Sequence, residues 1–498
     1  MNSIKGLVGQ TAVYGVSSIL GRLLNYLLVP LYSRVFLPFE AAVYIEMYAY
    51  MAFFIVILTY GMETAFFRNY QKSPDKKTVF STSLWSLIFS SIIFIVVGVL
   101  FAQNVANVLR YPEHPEYIIY FVFILGIDAV CSIPFAKLRA DNKAFRFATI
   151  RIINICVNIG LNLILILWFP LLYNTTENAS LLEFISHFTN GKADISAIFI
   201  ANMVASAVTL LLLLPQIFKA GFYIDRRLWG NMLKYGFPLL IFGLAGIANE
   251  TIDRILLKYM LPQDIAMHEL GIYGMCFKIS IFISVFIQAF RYAAEPFFFA
   301  RATDKDPGKT YATVMNYFII VCITIFLGIM LYIDIVKHFV GENYFEGLQI
   351  VPILLFGHIF LGIFYNLSVW YKVTDKTRYG AWFSIAGMVV SLTLNFTLIP
   401  IIGYMGSAWA NFTCYLVMML LSYFYGQKHY PVPYKIWKFL IYSALSLVLY
   451  WASTYFVFDS TSIQLIFNSA LLFAFLFVVM MSEPELRSFL ARKNPNNA

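Results

Sequence analysis

The chain has 498 residues, of which 60% are hydrophobic and only 12% charged, and its mean hydropathy is +0.75. That composition excludes a soluble enzyme, and it makes nucleic-acid binding a poor explanation of the formal charge of +9. The apolar residues gather in runs about 20 residues long, the length a helix needs to cross a hydrocarbon core about 30 Å thick.

In chain order the runs centre near Ser18, Phe54, Phe89, Leu125, Asn158, Ala205, Gly243, Ile283, Thr324, Gly362, Met388, Val417, Ser446 and Leu472. An all-α integral membrane protein of about 14 transmembrane helices is expected, with no stretch left for a soluble domain. The first run carries Arg22 and Asn25 and lacks a small-residue cleavage site, so it reads as a helix of the mature chain. Every second break is basic, and together these breaks hold 25 of the 35 Lys and Arg residues; the others hold only Arg34, Arg110, Lys192, Lys258 and Lys337. Cytoplasmic loops carry the Lys/Arg excess. Both termini are therefore expected in the cytoplasm.

Four features recur in the same order at a spacing of about 220 to 235 residues. Tyr14-Gly15 matches Tyr235-Gly236, and Leu37-Pro38 matches Leu261-Pro262. Glu63 followed by aromatics and Arg68 matches Glu295 followed by phenylalanines and Arg301. Ala140-Asp141-Asn142-Lys143 matches Thr374-Asp375-Lys376. The reading is two six-helix lobes in parallel repeat, residues 1–220 and 221–430, with residues 431–498 adding two helices and a cytoplasmic tail. In transporters such a repeat places the substrate between the halves.

Charged groups inside a bilayer are costly and usually meet a partner or a wet cavity. On the first run Thr11, Gly15, Ser18, Arg22 and Asn25 form one polar stripe. On the eighth, Ser280, Ser284, Gln288, Arg291 and Glu295 do the same, with Lys278 off that face. The seventh holds Asn249, Glu250, Asp253 and Arg254, where Glu250 and Arg254 are one turn apart and can neutralise each other. Arg22, Asn25, Arg254, Gln288 and Arg291 are the cavity candidates. Glu63, Asp128, Glu250, Asp253 and Glu295 are the candidate charge partners. Arginine suits a phosphate because its planar fork donates paired hydrogen bonds and keeps its charge when desolvated.

Catalytic motifs are lacking. The five cysteines fall in apolar runs, the six histidines have no metal-ligand spacing, and no cofactor or metal is expected. Pro307-Gly308-Lys309-Thr310 resembles the tail of a phosphate loop, but Thr303 stands where the first glycine belongs.

The segment Asn395-Phe396-Thr397-Leu398-Ile399-Pro400-Ile401-Ile402-Gly403-Tyr404-Met405-Gly406-Ser407-Ala408 resembles a signature of polysaccharide-transport flippases. Asp253 with Gly271-Ile272-Tyr273, and Leu138-Arg139-Ala140-Asp141-Asn142-Lys143, are similar to two further junctions of that family. The resemblance implies a flippase of the multidrug/oligosaccharidyl-lipid/polysaccharide exporter superfamily in a bacterial inner membrane. The implied substrate is a polyprenyl-diphosphate-linked oligosaccharide for surface polysaccharide or lipopolysaccharide, moved by alternating access. It also implies a basic lumen to which arginines on the first and eighth helices contribute, here Arg22 and Arg291. Members that flip lipid II carry a basic residue in the second helix, whereas this one carries Glu46 and Glu63, which favours a surface glycan. A monomer is expected, with glycan-assembly proteins as possible partners and no nucleic acid. Two alternatives stay open: a drug or small-metabolite exporter of the same superfamily, and a membrane glycan polymerase or ligase.

Overall fold

A computed structural model describes residues 24, 26–302 and 305–483. Among them thirteen helices are long and apolar enough to cross a membrane. They are α1 (Pro38–Lys72), α2 (Lys76–Leu100), α3 (Pro115–Ala140), α4 (Ala144–Thr175), α5 (Ser196–Phe218), α6 (Arg226–Met260) and α7 (Gln263–Arg301). Then follow α8 (Pro307–Leu331), α9 (Glu342–Val373), α10 (Arg378–Ile402), α11 (Tyr404–His429), α12 (Ile436–Tyr455) and α13 (Thr461–Ser482). Each contains the centre of one expected apolar run, from the second to the fourteenth. The first run lies outside the described residues.

The helix boundaries follow local chemistry. Pro38 opens α1 where a missing N–H costs nothing, and the Glu40 carboxylate accepts the Leu37 N–H at 2.8 Å. Asp75, Asp225 and Asp306 cap α2, α6 and α8 by accepting main-chain N–H groups. Asp306 thereby makes Pro307-Gly308-Lys309-Thr310 the first turn of a helix, which removes the phosphate-loop reading. α1 breaks at Tyr60 and Gly61, both left-handed (φ 34° and 71°).

One of the recurring pairs of strings has the same backbone geometry in both places. Asn142, between α3 and α4, and Asp375, between α9 and α10, are both left-handed at φ 57° and 55°. The next N–H donates five residues back in each, Lys143 to the Leu138 carbonyl (2.8 Å) and Lys376 to that of Tyr371 (2.7 Å). This is the same helix-ending turn, built twice.

The chain forms two compact units. One contains the described residues of Met1–Met275 with Met388–Ser407, and the other those of Cys276–Gly387 with Ala408–Ala498. In the first, α6 packs along α1: a Cβ on Gly236 would lie 2.6 Å from the Tyr60 carbonyl oxygen. A nearby core joins Met62, Phe66, Phe80, Leu84, Ile133 and Met232. In the second, α12 and α13 are fastened to α8 by polar contacts at both ends. Asn468 donates to the Leu331 carbonyl at 2.6 Å, and Glu483 accepts from Lys438 (2.5 Å), Tyr442 (2.8 Å) and Asn316 (3.0 Å). Lys438, the one charge inside those two apolar runs, is thus a docking residue.

Candidate functional site

Arg22 and Asn25 lie outside the described residues. The other candidates form two groups, one in each unit. On α6 Asp253 is buried, and its carboxylate accepts from the Tyr273 hydroxyl and from Arg254 (3.1 Å). The Arg254 guanidinium also reaches the main-chain carbonyl of Glu250, while the Glu250 residue is exposed. Arg254 is thus tied to the Asp253 carboxylate beside it, and the expected partnership with Glu250 runs through the backbone.

On α7 Arg291 donates from Nε to Glu295 Oε1 at 2.9 Å, and Lys372 of α9 donates to the same oxygen at 2.6 Å. The Arg291 guanidinium lies 4.8 Å from the centre of the Tyr365 ring, and its side chain keeps 46% of its exposure. One carboxylate here serves two cations, so the site retains a positive charge. Gln288, one turn before Arg291, is half-buried.

Glu63 pairs with Arg139, whose guanidinium also lies 4.9 Å from the Phe67 ring centre. Asp128 accepts from the Ser206 hydroxyl at 2.8 Å and lies within electrostatic reach of Arg151 on α4. In the turn after α3, burial raises the Asp141 carboxyl, but hydrogen bonds from Lys137 and Tyr70 outweigh it and hold the group below its ordinary range. Among the described residues no cluster of three or more His, Cys, Asp or Glu could hold a metal ion. A cavity of about 650 Å³ opens among α1, α2 and α3, lined by Met47, Phe54, Phe94, Val97 and Phe121. It is almost wholly apolar and holds none of the candidate cations.

Residues 170–300 match a family described as polysaccharide biosynthesis protein. The fold resembles that of the solved lipid II flippase MurJ in an inward closed conformation, at a TM-score of 0.70 and 14% identity, covering 95% of this chain and 99% of that one. It also resembles an inward-facing multidrug resistance MATE family transporter of the MOP superfamily, at 0.65 and 13%, covering 84% and 97%. An outward-facing structure of such a transporter gives 0.54 and 14%, covering 84% and 95%. No curated protein matches in sequence. The segment is similar to the polysaccharide biosynthesis family, and the fold is the one shared by these solved transport proteins. The solved proteins that share this fold are a flippase and transporters.

In this chain the signature residues do structural work. Gly403 is left-handed (φ 58°), and a Cβ there would fall 2.3 Å from Glu269 Oε2, which accepts the Tyr404 N–H at 2.8 Å. A Cβ on Gly406 would meet Leu398 main chain at 2.7 Å, and Ser407 donates to Asn395 at 2.9 Å. These residues close the α10–α11 turn; they carry no charge for a substrate. Gly271 is likewise a contact residue, since a Cβ would collide with the Pro38 carbonyl.

Sequence reasoning missed one buried pair entirely. Lys258 Nζ lies 2.7 Å from Glu46 Oε2, with their side chains 3% and 0% exposed. From sequence Lys258 falls in a polar break and Glu46 is an acid of the second helix, with nothing to link them. The available signal was that each sits inside an α-helical run with no neighbour of opposite charge at helical spacing.

Proposed function

We propose that the protein is a flippase that moves a polyprenyl-diphosphate-linked oligosaccharide across a bacterial inner membrane for surface polysaccharide assembly. The observation that carries this reading is the polysaccharide biosynthesis segment, residues 170–300, within a fold shared with a lipid II flippase. Arg22, Asn25, Arg254, Gln288 and Arg291 would line a basic cavity that takes the diphosphate head group. Arginine forks and the excess cation at Glu295 suit that anion. Two lobes, residues 1–220 and 221–430, would expose the cavity to each side in turn, with both termini cytoplasmic. Glu46 and Glu63 support a surface glycan over lipid II, since both acids are engaged by protein cations, Lys258 and Arg139.

Against a drug exporter stands the length of the match. The flippase covers 95% of this chain, the MATE family transporters 84%. Transporters of the shorter kind leave unmatched a share comparable to α12 and α13 with the tail.

Loss of the protein should leave finished lipid-linked repeat units on the cytoplasmic side, whereas loss of a polymerase or ligase still exports single units. Single repeat units on the outer face of a deletion strain would sink the flippase reading. The orientation is tested separately in a cysteine-free version. Single cysteines at Lys143, Arg226 or Lys376 should resist an impermeant thiol reagent in intact cells, and one at Asn178 should react.

A further inference from the structure

The buried pair Glu46–Lys258 joins α1 to α6, helices that belong to the two different lobes proposed above. Lys258 is two residues from the end of α6 at Met260, the end remote from Arg226 and Arg227. Glu46 lies two turns into α1 from Pro38. Between them sits the segment after the short helix Ala102–Val108. The Leu109 carbonyl accepts from Lys258 Nζ at 2.5 Å, and the Tyr111 hydroxyl donates to Glu46 Oε2. Tyr111 also places its ring centre 3.7 Å from the ammonium. Arg110, left-handed at φ 61°, points its guanidinium back to the Lys258 carbonyl at 3.4 Å.

Two physical features mark this pair as more than packing. First, a buried ion pair loses to an apolar pair of similar volume in most balances of desolvation against attraction, so stability alone does not explain it. Secondly, Lys258 and Tyr111 both use Oε2 of the carboxylate, and Glu46 Oε1 is buried without a hydrogen-bond partner. A carboxylate half-satisfied when closed regains hydration when the helix ends part. Each charge is thus stabilised in the open state, and the pair can break without stranding an ion in hydrocarbon.

We propose that Glu46 and Lys258 form the latch that holds the outer end of α6 against α1, and that it opens once in each transport cycle. The inference rests on the transport reading and the orientation given above. The two residues act by positioning helices, and neither contacts substrate.

The test uses the full-length protein with its five native cysteines replaced and a reporter cysteine at Leu257, which is fully buried beside Lys258. Labelling by an impermeant thiol reagent is measured in cells for the parent, Glu46→Gln, Lys258→Met and the swapped pair Glu46→Lys/Lys258→Glu. The singles should label severalfold faster than the parent, and the swap should return most of the way. Unchanged labelling in the singles overturns the latch, and so does a swap that labels as fast as they do, since exposure then reflects lost packing. If Lys258→Met does not accumulate, Glu46→Asp, which keeps the charge and shortens the reach, takes its place with the same expected rise. Labelling needs no substrate. A latch that behaves as expected in a protein whose deletion strands no lipid-linked glycan would therefore refute the flippase reading and leave the latch standing.

Discussion

The two halves of the chain build the same joint and then diverge at it. Glu295 stands 232 residues after Glu63, and Lys372 stands 233 after Arg139. In each half the glutamate pairs with the cation that lies three residues before the left-handed turn residue, Asn142 or Asp375. The first glutamate has Arg139; the second has Lys372 and also Arg291. At the offset that relates the glutamates, Arg291 corresponds to Thr59, whose hydroxyl is spent on the Ile55 carbonyl at 2.7 Å, just before α1 breaks at Tyr60 and Gly61. The pair is therefore common to both joints, and Arg291 is what the second one adds. A cation added to a pair already neutral is available to a further anion. That singles out Arg291 among the described candidates more sharply than its polar stripe does.

The largest expected effect on export follows from that asymmetry. Removing Arg291 leaves Lys372 on Glu295, so Arg291→Ala should keep near-normal membrane abundance. A lost charge-assisted hydrogen bond to a diphosphate is worth about 1.5–3 kcal/mol, so export should fall about tenfold or more. Arg291→Lys should retain part of the activity, having charge without the fork, and Thr59→Ala should change export little. Complementation of a deletion strain beside immunoblotting of membranes measures all three. Full export by Arg291→Ala at normal abundance would remove the residue from the mechanism.

Much of this architecture was readable beforehand, for physical reasons. Apolar length alone places each helix from α1 to α13, because a bilayer imposes one dimension on every span. The Asn142 and Asp375 turns were legible as recurring short polar strings. Partnerships across helices were not: Glu46 and Lys258 are 212 residues apart, and single-sequence spacing carries no information at that range. Arg254 shows the subtler failure, for helical spacing pointed to Glu250 while side-chain direction delivered Asp253. The signature at Gly403 and Gly406 was recognisable as a pattern, yet its role in closing a turn against Glu269 needed coordinates.

A second divergence between the halves lies on α8. Asn316 serves the Glu483 clasp, and the residue 232 positions earlier is Leu84, fully buried in an apolar core. Lys438→Met should strand the Glu483 carboxylate in a site where both side chains are 6% exposed, costing about 3–5 kcal/mol. Glu483→Gln should cost less and change the acid response. Burial raises the Glu483 carboxyl, but bonds from Lys438, Asn316 and Tyr442 outweigh it and hold the group below its usual range. A depressed value in the folded state contributes stability above the ordinary glutamate value, about 4.3, and loses it as pH falls through the lowered one. Thermal unfolding in detergent should therefore show a steeper acid decline in the parent than in Glu483→Gln. Equal slopes would mean that the clasp is neutral.

A smaller effect tests the shared part of the joint. The Glu63 and Arg139 side chains are 40% and 36% exposed, and pairs so open to solvent contribute about 0–1 kcal/mol. Arg139→Ala should lower the unfolding midpoint slightly, and Lys372→Ala less still, because Arg291 keeps Glu295 paired. A larger loss from Lys372→Ala would show that Arg291 is committed elsewhere, and the proposed spare cation would disappear.

The smallest effect bears on the repeat itself. An L-residue with a Cβ pays about 1–2 kcal/mol in the left-handed region, with Asn and Asp paying least because their short polar side chains tolerate it. Asn142→Ala should therefore lower stability by about 1 kcal/mol. Asn142→Gly should be nearly neutral, since relief of the Cβ contact is offset by about 0.5–1 kcal/mol of added freedom in the unfolded chain. Asp375 has the same φ within two degrees and the same five-residue hydrogen bond behind it, so its Ala and Gly variants should follow the same order and size. Midpoints of thermal unfolding for the four variants decide the matter. If Asp375→Ala were neutral while Asn142→Ala was not, the second turn would relax into another backbone shape at no cost. The two halves would then share a sequence pattern without sharing the constraint that fixes it.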